Sequence, residues 1–158
     1  MPFKYAHHTE LSFQGRVNDL SFSTDGKLLV VATDKTITIW ETDSWTRCDV
    51  ILKKPSPTAD PTSVIWIDIL TLVVGFSDGG LYTFEISPPS CQSQVSALVT
   101  SQYTANKEFQ CLTIHGMKCA TECISHMSYS GTSSLLAVGS SSEVQLWERD
   151  HGEHLPTI

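Results

Sequence analysis

The sequence predicts an all-β fold assembled from about three copies of one four-stranded antiparallel unit, and three observations predict it. The pattern of residues 17–41, ending in Trp40-Glu41, returns without a gap at 124–148, ending in Trp147-Glu148. Apolar residues alternate over short runs such as Ile37-Thr38-Ile39 between Asp-Gly or Ser-rich turns, and no long segment has the 3.6-residue period of a helix. Ser and Thr number 20 and 17, which with Val and Ile suits pleated, half-buried strands and polar turns.

In the first copy Asn18–Ser23 reads as a strand, Thr24-Asp25-Gly26 as a tight turn, Leu28–Thr33 as the second strand and Thr36–Trp40 as the third. Cys48–Leu52 reads as the fourth. The last copy, at an offset of 107, lays Ile124 on Val17, Met127 on Leu20, Tyr129 on Phe22, Leu136 on Leu29 and Leu146 on Ile39. A weaker middle copy, at an offset of 44, lays Leu72-Val73 on Leu28-Leu29, Ser77-Asp78 on Thr33-Asp34 and Phe84 on Trp40. Leu28–Ala32, Leu72–Gly75 and Leu135–Gly139 are apolar at consecutive positions, which predicts burial on both faces between neighbouring sheets. Phe109–Ile114 fits the outer strand of the middle copy. The 63 residues from Phe84 to Trp147, against 44 from Trp40 to Phe84, leave an insertion at 87–107. It opens with Ser87-Pro88-Pro89-Ser90, which stops a strand by removing donors. Its middle, Val95–Val99, reads equally as an added strand or one helical turn. This insertion and the connector Pro55–Pro61 are surface loops of the kind that carries recognition.

Four short strands per copy, repeating every 40–45 residues or so and closing the third strand on an aromatic-acidic pair, make the pattern of a propeller blade. Here the chain resembles the WD40-repeat family. Phe22-Ser23-Thr24-Asp25-Gly26 stands where the family has Phe-Ser-Pro-Asp-Gly, and Asp34-Lys35-Thr36-Ile37-Thr38-Ile39-Trp40-Glu41 matches its Asp-x-Thr-x-x-x-Trp-Asp stretch. The resemblance covers 17–54 and 124–149 well and 63–86 moderately. It implies a partial β-propeller of about three blades acting as a protein-interaction scaffold. It also implies a buried polar chain in each blade, running from a Gly-His before the first strand through Ser or Thr and Asp to Trp. Thr33, Asp34 and Trp40 fit that chain, but Gly15-Arg16 supplies no His. The second copy keeps Ser77 and Asp78 and has Phe84 for the indole. The third keeps Ser140 and Trp147, with Ser141 in place of Asp and His115-Gly116 in reversed order. By the same resemblance a binding rim falls on the turns around Asp34-Lys35, Asp78-Gly79 and Ser141-Ser142.

The resulting organisation is an N-terminal segment 1–16, repeats over 17–149 (17–54, 63–115 and 124–149) and a tail at 150–158. Closed propellers need about four to eight blades, so three leave apolar faces that something must cover. One reading is a piece of a larger propeller, or a truncated product without independent function. Another is self-association, two copies making six blades, with Thr9–Phe13 supplying the outer strand that the last copy lacks. A third is a different, smaller β fold.

Ten Lys and Arg against 17 Asp and Glu give a net charge of −7, which argues against nucleic-acid or anionic-membrane partners. No apolar run approaches the 18 residues of a membrane helix, and the N-terminus has no apolar signal region. Five cysteines, an odd number, suit a reducing intracellular compartment, cytoplasmic or nuclear, rather than a secreted disulfide framework.

Candidate chemistry is sparse. Cys111, His115, Cys119 and Cys123, with His126 beyond, form an alternative zinc set, but with three residues between successive members they would share a face only on a helix. On a strand Cys111 reads as a small hydrophobe and His115 as a turn residue. Val138-Gly139-Ser140-Ser141-Ser142 lacks the second Gly of a nucleophile elbow, and no phosphate-binding loop is present, so the expectation is a non-enzyme without cofactor. His7-His8 reads as an exposed terminal pair, and Trp45 as a residue covering its own blade or anchoring a partner.

Overall fold

The computed structural model describes residues 5–48, 57–87 and 110–149, the side chains of 110–114 excepted. Eleven strands and no helix occupy these residues. β1 (Val17–Phe22), β2 (Leu28–Thr33), β3 (Ile37–Glu41) and β4 (Thr46–Cys48) form the first sheet. β5 (Pro61–Trp66), β6 (Thr71–Phe76), β7 (Gly80–Ser87) and β8 (Gln110–Lys118) form the second. β9 (His126–Ser130), β10 (Leu135–Gly139) and β11 (Val144–Glu148) form the third, with β11 at its outer edge. Every pairing is antiparallel between sequence neighbours, as tight turns dictate. The Ser23–Gly26 turn shows the chemistry: Gly26 sits at φ 72°, the Ser23 hydroxyl donates to Asp25 at 2.7 Å, and the Leu28 amide donates back to Ser23 Oγ at 2.9 Å.

The sheets stack through their inner strands, β1 on β5 and β5 on β9. Strand alternation gives each sheet two faces, and the two cores follow from them. Leu28, Val30, Ala32 and Ile39 of the first sheet pack with Val64, Trp66, Leu72, Val74, Phe76 and Phe84 of the second. Ile65, Val73 and Leu81 on the reverse of the second sheet pack with Met127, Leu136, Val138 and Trp147 of the third.

Two expectations change. Register places Leu72 opposite Trp66 and Phe84, as Leu29 lies opposite Phe22 and Trp40, so Leu72 corresponds to Leu29 and not to Leu28. The β5–β6 turn is one residue shorter than the β1–β2 turn, and the β6–β7 turn is one longer. The offset of 44 therefore holds for β5 and β7 but is 43 for β6, a slip that exchanges the faces of every residue in that strand. Buried Phe76 thereby takes the place of Thr33. The last copy keeps its offset of 107 in all three strands. Secondly, β2 is buried throughout and β6 nearly so, but in β10 only Val138 is fully buried. No described sheet covers the face of Leu135 and Ala137.

The second sheet runs over 61–118, beyond the expected 63–115 at both ends. Thr9–Phe13 forms no strand within the chain; Phe13 instead stands edge-on to Trp40, centroids 6.0 Å apart, and His8 lies 6.1 Å from Trp45. The continuation of the fourth strand over 49–52, the start of the Pro55–Pro61 connector, the insertion beyond Ser87 with Val95–Val99, and the tail at 150–158 lie outside the described residues. No helix among the described residues is long and apolar enough to cross a membrane.

Candidate functional site

The starts of β1, β5 and β9 are tied in series. Asn18 Nδ2 donates to the Pro61 carbonyl at 2.8 Å, and the Thr62 hydroxyl donates to the carbonyl of Ile124. This brings the β2–β3, β6–β7 and β10–β11 turns, which abut those starts, to one end of the stack. Asp34-Lys35, Asp78-Gly79 and Ser141-Ser142 are therefore brought together as one rim, with the 14–16, 57–60 and 119–125 segments between them.

The rim residues differ in what they offer. Lys35, Asp78, Ser141 and Ser142 are exposed. Asp34 is half-buried, its amide donating to the Arg16 carbonyl at 3.1 Å. Gly79 is buried at φ 82°, and its carbonyl accepts from the amides of Cys119 and Ala120 at 3.1 and 3.2 Å. A side chain there would overlap the Ala120 carbonyl, so Gly79 shapes the turn and presents nothing outward. Arg16, Lys35 and Lys118 lie at this end with Asp34, Asp60, Asp78, Glu122 and Glu143, a polar surface of mixed charge with an acidic excess.

The implied polar chain is not made. Trp40 Nε1 donates to Thr38 Oγ1 at 3.2 Å, not toward Asp34. Thr33 Oγ1 closes its own turn, donating to the Thr36 carbonyl at 3.1 Å and accepting the Thr36 amide at 3.0 Å. Asp34 Oδ1 is buried against Gly15 without a hydrogen-bond partner among the described residues. Ser77 Oγ accepts the Asp60 amide at 3.0 Å, and Ser140 closes its turn through a backbone bond to Glu143. Phe84 is buried in the first core, while Trp147 Nε1 is buried without a partner among the described residues.

For the alternative metal set, β8 is a strand. Its Cys111 pairs in register with Ile86, and the exposed His115 pairs with Thr83. Burial pushes the Cys119 thiol up, away from the thiolate that metal binding needs, and its Sγ lies 3.6 Å from the Gly79 carbonyl. Cys123 is exposed, with Sγ on the Ile124 carbonyl at 3.5 Å. Among the described residues no group of three or more His, Cys, Asp or Glu is arranged to hold a metal ion.

Sequence reasoning missed the polar ties between sheets. Asp19 Oδ2 accepts the Ser63 hydroxyl at 2.8 Å and the Val64 amide at 2.9 Å. Arg149 pairs with Asp68 at 2.9 Å, and Gln145 Nε2 donates to the Cys119 carbonyl at 2.8 Å.

Residues 4–41 match the family model described as WD domain, G-beta repeat. A chain in the crystal structure of the Mitotic Checkpoint Complex shares the fold, with a TM-score of 0.56 and 19% identity over 82% of this chain and 33% of that one. The present chain thus spans about a third of the length of that solved chain. No curated protein matches it in sequence. With its first copy matching that repeat model and its three sheets stacked blade on blade, the chain is similar to the WD40-repeat family over residues 4–41 and folds as a partial β-propeller.

Proposed function

We propose that the chain is a non-catalytic scaffold that binds protein partners through the rim formed by the β2–β3, β6–β7 and β10–β11 turns. The observation that carries this reading is the gathering of three equivalent exposed turns at one end of a rigid stack, where loops can vary without disturbing the core. Its acidic excess favours a partner surface carrying Lys or Arg, by charge complementarity. An intracellular, cytoplasmic or nuclear setting is part of the same reading, supported by the odd cysteine count. The solved chain with this fold belongs to a protein complex, which is in keeping with a partner-binding role.

Lys35→Glu combined with Ser141→Arg and Ser142→Arg tests the rim. The triple variant is expected to keep the parent's circular dichroism spectrum and urea midpoint, because all three side chains are exposed, while losing at least tenfold in capture of the proteins that bind the parent. Equal capture by parent and variant would remove the rim assignment.

A further inference from the structure

We propose that the two ends of the blade stack are complementary halves of one junction and that a second copy of this chain closes them. The third sheet of each copy seats the first sheet of the other, giving a ring of six blades. The warrant is a contact made twice within the chain and left half-made at both ends.

The first element of the junction is a knob on a small residue. Ile124, entering β9, sits fully buried on Gly75 of β6, where any side chain would overlap its Cγ2. At the preceding junction Pro61 holds the place of Ile124, fully buried, and Ala32 holds that of Gly75. The next small residue in the series is Gly139, where an added side chain would meet only His126 atoms, none nearer than 3.5 Å. The next knob is Val17, which is 41% exposed at the other end of the same chain.

The second element is the hydrogen bond beside each knob. Asn18 donates to the Pro61 carbonyl, and Thr62, its counterpart, donates to that of Ile124 with the Gly75 carbonyl also in reach at 3.1 Å. Ser125 is the third member. Its hydroxyl already rests on the Gly139 carbonyl at 3.2 Å, as Thr62 rests on Gly75, and the knob carbonyl it lacks is that of Val17.

The third element is apolar. Ile39 and Leu81, on the two seating faces that are covered, are 0% and 6% exposed, whereas Val144 and Leu146 on the third are 73% and 68% exposed. On the docking side Val64 and Trp66 are buried, whereas their counterparts Leu20 and Phe22 are each 53% exposed. Apolar side chains of both halves are thus exposed in one chain, on the docking side at Leu20 and Phe22 of β1, with Leu29 and Val31 of β2 on the same face already buried.

A contact between unlike faces closes only if the rotation per blade closes it; two copies of three blades fall within the four to eight blades a propeller adopts. The repeat also places residues 5–11 where β8 stands relative to β9. In the ring this segment lies along the free edge of β11 in the other copy.

Sedimentation equilibrium of the full chain over a concentration series tests the proposal. The parent is expected at twice 17.4 kDa. Gly139→Val, which adds a side chain into open space in the single chain, is expected to keep the β-sheet spectrum and to weaken association at least tenfold. Val144→Ser with Leu146→Ser, both at exposed positions, is expected to do the same. A folded parent that stays at 17.4 kDa at every concentration would overturn the second copy as occupant and leave the faces to other blades. A mass that grows without limit would overturn ring closure, and a dimer indifferent to both variants would overturn the faces named.

Discussion

Asp19 lies on β1, yet its carboxylate serves β5, accepting the Ser63 hydroxyl and the Val64 amide across the first junction. Replacing it with Ala would strand a partly buried backbone donor, at a cost of about 1–3 kcal/mol. Chemical denaturation of Asp19→Ala should show a lower midpoint with an unchanged slope. At the second junction the Asp68–Arg149 pair adds a pH dependence. Burial alone would raise the Asp68 pKa, but hydrogen bonds from the Leu70 amide, the Thr71 hydroxyl, the Arg149 guanidinium and the Thr71 amide outweigh it and hold the carboxyl below its ordinary value. The stability it lends is therefore present above the carboxylate range and is lost as pH falls through the depressed value. Asp68→Asn should be less stable than the parent at neutral pH, and acid titration of the two should show the gap closing at low pH. Neither tie was legible in the sequence, because each joins residues dozens of positions apart with no local signature. The family's polar chain was legible only as an implication, and without a His before β1 the Thr33 hydroxyl and Trp40 indole settle on nearer partners.

The strands themselves were largely legible, since period-two alternation and Asp-Gly turns act locally and every pairing joins sequence neighbours. The middle copy escaped by one residue, because a shorter turn before β6 and a longer one after it cancel, so the offset looks constant on either side. Consequences follow at Phe76, which the slip turns into the first core. Phe76→Ala should cost about 3–5 kcal/mol, while Ser77→Ala, losing one bond to the Asp60 amide, should cost about 1 kcal/mol. The gapless alignment would have made position 77, not 76, the counterpart of Thr33, so thermal denaturation of the two variants separates the registers. The turns give a second contrast. Gly79 and Gly26 both have positive φ, but only Gly79 lies under a neighbouring backbone. Gly79→Ala should therefore lower Tm by more than Gly26→Ala, which pays the backbone strain alone. Equal losses would mean that the 119–125 segment does not rest on that turn.

At the scale of the whole molecule, composition and repeat arithmetic were enough to show that three blades leave two apolar faces. Which side chains fill those faces could not be read from sequence, since the answer depends on the register of β6 and on which side of each sheet meets the next. Once the junctions are laid over one another, Val17, Gly139, Val144 and Leu146 each have a buried counterpart at an internal junction, and Ser125 has counterparts, Asn18 and Thr62, that are hydrogen-bonded across it. Covering them should bring β10 to the state of β2 and β6, which are enclosed on both faces. Backbone amide hydrogen exchange on the parent and on Gly139→Val, at the same protein concentration, reads that directly. The stacked, end-to-end account predicts slow exchange in β2, β6 and β10 of the parent, with protection lost over β9–β11 of the variant and kept in β2 and β6. Identical protection of β10 in the two proteins would contradict it.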